Sequence, residues 1–300
     1  MAVTLKQLRV FLTIAQESSI TIAADKLCLT KPALSITLGG LERDCGHTLF
    51  DRHNGRLYLN DYGRHMLPLA DEIIQRSDSI AQLFEHQDAD IGHLRIGASH
   101  TIGHQIVPRL LQQFRLDIGR SGQSVFIANT AEICDKLERF ELDIGMIEGA
   151  VELDTLEVMD WREDRMLVVA APDHALARNA NEHAGPLDIG DLEGQDWVLR
   201  ESGSGTRDYF IGQIAMHLQS WRTALELNAT EAVINAVAAG MGLTCISALE
   251  ADFALKDGRL TEIPTTLDLR RKLRLVIHGK KYRSPLIARY LAFCQQFETP

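Results

Sequence analysis

The apolar positions of the first sixty residues fall into three short helical stripes followed by a hairpin. Leu5, Leu8, Phe11, Leu12 and Ala15 recur at helical spacing, which predicts an amphipathic helix that Ser18-Ser19 ends. Thr21 to Leu27 predicts a second, Ala-rich helix whose adjacent small residues admit another helix closely, with Cys28-Leu29 as the turn. Thr30 is a good N-cap and Pro32 is tolerated in a first turn. Leu34, Leu38 and Leu41, at i, i+4 and i+7, then make the buried stripe of a third helix. Two short helices joined by a tight turn, the second exposing small polar residues near its start, form the helix-turn-helix pattern. The exposed face would carry Thr30, Lys31, Pro32, Ser35, Ile36, Thr37 and Gly39. Leu49 to Arg52 and Leu57 to Leu59 flank His53-Asn54-Gly55-Arg56. Asn-Gly supplies the positive backbone angles a tight hairpin needs, so this reads as a wing that places Arg52 and Arg56 for phosphates.

Beyond Asn60, itself a plausible N-cap, Met66, Ala70, Ile73, Ser77, Ile80 and Phe84 alternate in steps of four and three, the seam of a coiled coil. A second apolar set, Leu67, Leu69, Ile74 and Leu83, would pack back on the N-terminal module, and Gln87 to Asp90 reads as a hinge. After residue 91 short apolar runs (Leu94–Ala98, Val125–Ala128, Asp143–Ile147) alternate with helical stretches near 103–116 and 131–141, the pattern of parallel βαβ units. Leu167–Ala171 and Trp197–Leu199 begin a second set. Leu273–Ile277 and a final helix over 284–297 return to the first. The expected fold class is α/β: a winged helix-turn-helix over 1–60, a linker and dimerisation helix with its hinge over 61–90, and a two-lobed effector domain of the periplasmic-binding-protein type over 91–300. Lobe I would hold 91–161 and 270–300 and lobe II 162–269, with crossover strands near 162–168 and 266–271.

Composition narrows the class without changing it. The 300 residues are 45% hydrophobic and 24% charged, as in an ordinary soluble globular protein, and no run approaches the roughly 18 apolar residues of a bilayer span. A cytoplasmic location and no membrane partner are expected. Five widely spaced cysteines without a C-x-x-C imply neither a disulfide framework nor a zinc knuckle. The net charge of −10 argues on average against nucleic acid. Residues 1–60, however, hold seven Lys/Arg against five Asp/Glu, so the N-terminal fifth is the electrostatically plausible DNA-facing part.

The motifs of residues 5–65, Leu-Arg-Val-Phe, Ala-Ala-Asp-Lys-Leu, Thr-Lys-Pro-Ala-Leu-Ser, Leu-Phe-Asp-Arg and Asn-Asp-Tyr-Gly-Arg, resemble the winged helix-turn-helix of LysR-type transcriptional regulators. The remainder resembles that family's effector-binding domain. The resemblance implies double-stranded DNA, a small-molecule effector and RNA polymerase as partners, a homodimer or homotetramer, no cofactor and no catalysis. One departure stands out: the second turn of the recognition helix, basic or amide-rich in most members, carries Ile36, Thr37, Gly39 and Gly40 here. Arginine readout of guanine is not offered by that turn. Lys31, Ser35 and Thr37, with DNA shape, are expected to carry more of the specificity.

Ligands of open α/β sheets sit beyond the C-terminal strand ends, where helix N-termini point inward. Four such places are legible: Ser99-His100-Thr101, Asn129-Thr130, Glu148-Gly149, and Ser202-Gly203-Ser204 with Thr206. Hydroxyls and amides there suit a small anion. Gly97 to Gly103, Asp143 to Gly149 and Arg200 to Arg207 are similar to a branch of the family linked to sulfur oxyanions such as sulfite. Glu148 opposes an anion unless Arg200 or Arg207 neutralises it, and an effector with a cationic or donor group fits it better. His100 and His104, four apart, lack a third metal ligand, and no nucleophile, base and acid occur in recognisable order. The alternative readings are a non-catalytic solute receptor or an α/β enzyme with an accessory helical module.

Overall fold

The computed structural model describes residues 3–297 apart from position 54 and positions 84–92, 119–121, 150, 152 and 183–184. The N-terminal unit comprises α1 (Leu5–Glu17), α2 (Ile20–Lys26), α3 (Lys31–Cys45) and a hairpin of β1 (Phe50–His53) and β2 (Arg56–Leu59). Local chemistry sets its boundaries. Thr4 and Gln7 form a capping box on α1, and Ser18 closes that helix in the left-handed conformation. Ser19 caps α2, and Thr30 caps α3 by accepting from the Ala33 N–H, with Pro32 in the first turn. Leu34, Leu38 and Leu41 are the buried stripe of α3. The wing is fastened to the helices by the Leu57 N–H, which donates to the Ser18 carbonyl at 3.0 Å. Of the hairpin turn, Gly55 has φ 75°, and Asn54 lies outside the described residues.

The long helix α4 (Asp61–Leu83) starts at Asn60, whose Oδ1 accepts the Gly63 N–H at 3.0 Å. Its faces follow the sequence expectation at Leu67, Ile73, Ile74 and Ile80 and depart from it at Met66, Leu69 and Ala70. Leu67, Ala70 and Ile74 are buried in the N-terminal core and Met66 packs against it, whereas Leu69, Ile73 and Ile80 are exposed. The exposed apolar positions of α4 are therefore Tyr62, Leu69, Ile73 and Ile80, spaced by seven, four and seven residues. Ala70 belongs to the inward face because the unit needs a residue without bulk where α4 crosses α1. Phe84 and the hinge Gln87 to Asp90 lie outside the described residues.

The rest is a two-lobed α/β body. Its elements are β3 (His93–Ala98), α5 (His100–Gln105), α6 (Val107–Ile118), β4 (Gly122–Ile127), α7 (Thr130–Glu138), β5 (Ile144–Glu148), β6 (Leu156–Ala170), α8 (Ala175–Glu182), β7 (Asp196–Arg200), α9 (Gly205–Gln213), β8 (Arg222–Leu227), α10 (Thr230–Ala238), β9 (Thr244–Ser247), α11 (Ala248–Lys256), β10 (Thr261–Glu262), β11 (Arg270–His278) and α12 (Pro285–Gln296). The helix expected near 103–116 is two helices broken at Ile106, because Pro108 cannot donate to a continuing ladder and starts a new helix instead. β4, β3 and β5 are parallel; β11 pairs antiparallel with both β5 and β6. β6 continues beyond that sheet to pair with β9 and β10, so one 15-residue strand serves both lobes. Separate cores lie on the two faces of each lobe: Leu94, Phe114 and Tyr290 in one, Ile133 and Val276 opposite, Trp197 and Phe210 in the third, Val233 and Ile246 in the fourth.

α4 is bolted to the first lobe. Lys281 Nζ lies 2.8 Å from both Asp71 of α4 and Asp143, and Arg95 reaches Asp143 at 2.7 Å. Phe140, held at φ 57°, inserts from the lobe into the N-terminal core and packs on His278. Among the described residues no helix is long and apolar enough to cross a membrane.

Candidate functional sites

The outward face of α3 carries Lys31, Pro32, Ser35 and Ile36, all exposed, as are Thr30 at its cap and Arg52 and Arg56 on the wing. These expected DNA-facing residues are thus all open to solvent. Thr37 differs: its hydroxyl is partly buried and donates to the Ala33 carbonyl at 2.8 Å, so it is committed to its own helix. Gly39 and Gly40 leave the middle of that face low. A Cβ at either would stand within van der Waals reach of the Arg43 guanidinium, which lies over them.

The second site lies between the lobes and is built from charges far apart in sequence. Glu148, at the end of β5, is buried and accepts from Ser99 Oγ at 2.8 Å, from Thr206 Oγ1 at 3.3 Å and from Arg271 Nη1 at 3.2 Å. Arg271, near the start of β11, also donates to Thr206 and Thr101 at 3.0 and 3.2 Å and through Nε to Asp164 at 2.7 Å. Asp164 in turn accepts from Ser247 Oγ at 2.7 Å, and Thr101 donates to Glu250 at 3.1 Å. Thr130 donates to the Glu148 carbonyl at 3.1 Å. Alongside, Arg200 pairs with Glu201 and donates to Thr230 at 3.0 Å, and Asn129 caps α7 while donating to Glu201. Every one of these groups stands at or near the start of α5, α7, α9, α10 or α11, or on the strands beneath them.

The closeness of the lobes has a backbone cause. A Cβ at Gly205 would lie 2.4 Å from the Glu148 carbonyl oxygen, and one at Gly203, which has φ 85°, 2.9 Å from the Ala131 Cβ. Gly203 also accepts the Ala131 N–H across the cleft at 3.2 Å.

Electrostatics sort the carboxyls. Burial alone would raise Glu148, but Arg271 and the hydroxyls of Ser99 and Thr101 outweigh it and hold the group below the usual glutamate range. At Glu250 the balance is reversed. Burial, reinforced by the Glu148 charge, prevails over Arg271 and the Thr101 hydroxyl and pushes it up to about 7. His100 is lowered by burial and by Arg200, and its Nδ1 is buried without a hydrogen-bond partner among the described residues.

Of the residues expected here, Ser99, Thr101, Thr130, Glu148, Ser204 and Thr206 are buried around the cluster, and His100, Asn129, Gly149 and Gly203 border it. Ser202 is exposed, because the turn that brings Gly203 against α7 faces it to solvent. The neutralising partner of Glu148 is Arg271 foremost; Arg207 instead pairs with Glu226 on β8, and Arg200 adds only a smaller field. Arg271, Asp164, Ser247 and Glu250 were missed by sequence reasoning. Arg271 falls in period-two register with the inward-facing Leu273 and Leu275 of β11, and that alternation is the signal that was available for one of them. No group of histidine, cysteine and carboxylate side chains among the described residues is placed to hold a metal ion.

Comparison with known proteins agrees with this division. Residues 5–64 match the bacterial regulatory helix-turn-helix protein, lysR family, and residues 87–298 the LysR substrate binding domain. The chain belongs to the LysR family of DNA-binding transcriptional regulators with an effector-binding domain. It is 35% identical to the uncharacterized HTH-type transcriptional regulator YeiE of Escherichia coli (strain K12) across 100% of both chains. It is also 30% identical to the HTH-type transcriptional regulator CysL of Bacillus subtilis (strain 168), covering 90% of this chain and 89% of that one. A full-length OxyR variant from Pseudomonas aeruginosa shares the fold at a TM-score of 0.71 and 22% identity, over 99% of this chain and 95% of that one.

Proposed function

We propose that this regulator senses a small anion in the inter-lobe cleft and, as a dimer or tetramer joined along α4, controls transcription by RNA polymerase from an interrupted palindromic site in the cytoplasm. The observation that carries the anion is the gathering of five helix starts and two arginines, Arg271 and Arg200, around one buried cluster of hydroxyls. Glu148 narrows the chemistry. Its carboxylate already accepts the Ser99, Thr206 and Arg271 donors, so an entering oxyanion must share them, and one bearing a hydrogen-bond donor is favoured over one that only accepts. The similarity to the sulfur-oxyanion branch makes sulfite, with sulfate and thiosulfate as comparators, the first ligand class to test. α3 and the wing would engage the major groove and flanking phosphates through Lys31, Ser35, Arg52 and Arg56.

The test is thermal unfolding of the full-length protein with sulfite, sulfate, thiosulfate and small carboxylates. A bound ligand stabilises the folded state by mass action, by about 2.7 kcal/mol at a hundredfold excess over its Kd. The expected result is a selective rise in Tm with one small oxyanion, lost in Thr101→Ala. Equal response to all salts, or none, overturns the anion and turns attention to a neutral or cationic ligand of Glu148.

A further inference from the structure

We propose that Ile36 is a base-reading residue, and that it reads a thymine methyl group in each half-site. This rests on the reading that α3 lies in the major groove, and goes beyond it in saying what α3 recognises there. Ile36 is 70% exposed, more than any other large hydrophobic side chain described in the N-terminal unit or α4. It has no structural occupation: the buried stripe of α3 is Leu34, Leu38 and Leu41, one helix face away. Its neighbours on the helix surface are Pro32 and Ala33 one turn before and Gly39 and Gly40 one turn after, so no long side chain rises beside it from the adjoining turns. The nearest charged head on that side, Arg43, folds down over the two glycines.

The hydroxyls near it are largely spoken for. Thr37 donates to the Ala33 carbonyl and Thr30 accepts the Ala33 N–H as the helix cap. What remains is an apolar knob between Lys31 and Ser35 on one side and, on the other, two glycines overlain by the Arg43 guanidinium and, at Gly40, the Gln7 amide. Such a surface has few donors for the guanine O6 and N7 edge, whereas the thymine C5-methyl is the one apolar group that base edges display in the major groove. These glycines, without side chains of their own, let the helix sit deep enough for a branched side chain, only two carbons beyond its Cβ, to reach that methyl.

Removing one methyl from DNA tests this without disturbing any hydrogen bond. A duplex recovered by the full-length protein from a random pool is synthesised with single thymine-to-uracil replacements, and binding is followed by fluorescence anisotropy. We expect one position in each half-site where uracil weakens binding about three- to fivefold, the worth of one buried methyl group. In Ile36→Ala, whose Tm should match the wild type because the side chain is exposed, thymine and uracil at that position should bind alike. A wild-type protein indifferent to uracil everywhere, or an Ile36→Ala protein that keeps the discrimination, overturns the proposal. Lys31→Ala and Arg52→Ala, measured on the same duplex, separate the two levels. If both leave affinity and salt dependence unchanged, the assignment of α3 and the wing to DNA fails, and Ile36 with it. If they weaken binding while uracil has no effect, Ile36 alone is refuted.

Discussion

Asp143, immediately before β5, and Glu148, at its end, bracket one five-residue strand, the first anchoring α4 through Lys281 and Arg95, the second paired with Arg271 in the cleft. Two neighbouring strands repeat the arrangement. β3 has Arg95 near its start and is followed by Ser99; β11 carries Arg271 near its start and is followed by Lys281. Three adjacent strands thus each contribute to both buried clusters, and the cleft is joined to the helix behind the DNA-binding unit by direct backbone.

Removing Lys281 from the anchoring cluster leaves two buried carboxylates, Asp71 and Asp143, to share the single cation Arg95. Lys281→Met should destabilise the protein by about 3–5 kcal/mol, because Asp71 and Asp143 lose a shared cation. Urea unfolding monitored by far-UV circular dichroism measures it. A loss below about 1 kcal/mol would mean that the cluster is wet and worth no more than a surface pair.

Asp143 also sets an acid limit. Burial works against its charge, but Lys281 and Arg95 prevail and bring it to about 2 from an ordinary 3.8. Its folded value is the lower one, so the stabilisation is present above about pH 4 and disappears as pH falls through about 2. Asp143→Asn should therefore flatten the fall in stability between pH 4 and 2 by on the order of 2 kcal/mol relative to wild type. Parallel slopes for the two proteins would show that the group titrates normally.

Glu250 produces the opposite dependence. Its folded value of about 7 lies above the ordinary 4.5, so its burial costs nothing at low pH and destabilises progressively as pH rises from 4.5 through 7. Glu250→Gln should match the wild type near pH 4.5 and exceed it by on the order of 3 kcal/mol at pH 8. Denaturant midpoints at the two pH values decide it, and a difference independent of pH removes Glu250 from the buried cluster.

The two faces of α4 separate by mutation. Leu69→Lys on the exposed stripe should weaken self-association in sedimentation while leaving the monomer folded. Ala70→Lys, at a position with no solvent exposure, should unfold the N-terminal unit. Dissociation by neither variant would move the association surface off α4.

What could be read from sequence was what is local. Thr30, Pro32 and the Leu34, Leu38, Leu41 stripe determine α3 within one helix, and the apolar runs of β3, β5 and β11 announce a sheet. On α4 Ile73 and Ile80 face outward as the pattern predicts, but Leu69 takes the outward place expected for Ala70, because either residue completes a run of threes and fours. Which of them faces inward depends on how much room α1 leaves. The cleft was half legible: hydroxyls after strand ends have a positional signature, but Arg271 meets Glu148 across 123 positions, through a strand pairing that no motif encodes. Glu250 was hidden in the same way, its proximity to Thr101 arising from the packing of α11 on α5.

Gly205 gives the cleft a hard stop. Because the start of α9 meets the end of β5 peptide against peptide, the closest approach of the lobes is fixed by main-chain atoms, which neither repack nor change rotamer. Substituting the lining side chains can retune which molecule is held there, but not how far the jaws shut. Gly205→Ala acts on that distance directly: a single methyl wedge, set against the Glu148 carbonyl and the Thr130 hydroxyl that donates to it, that props the two halves of the sensor apart.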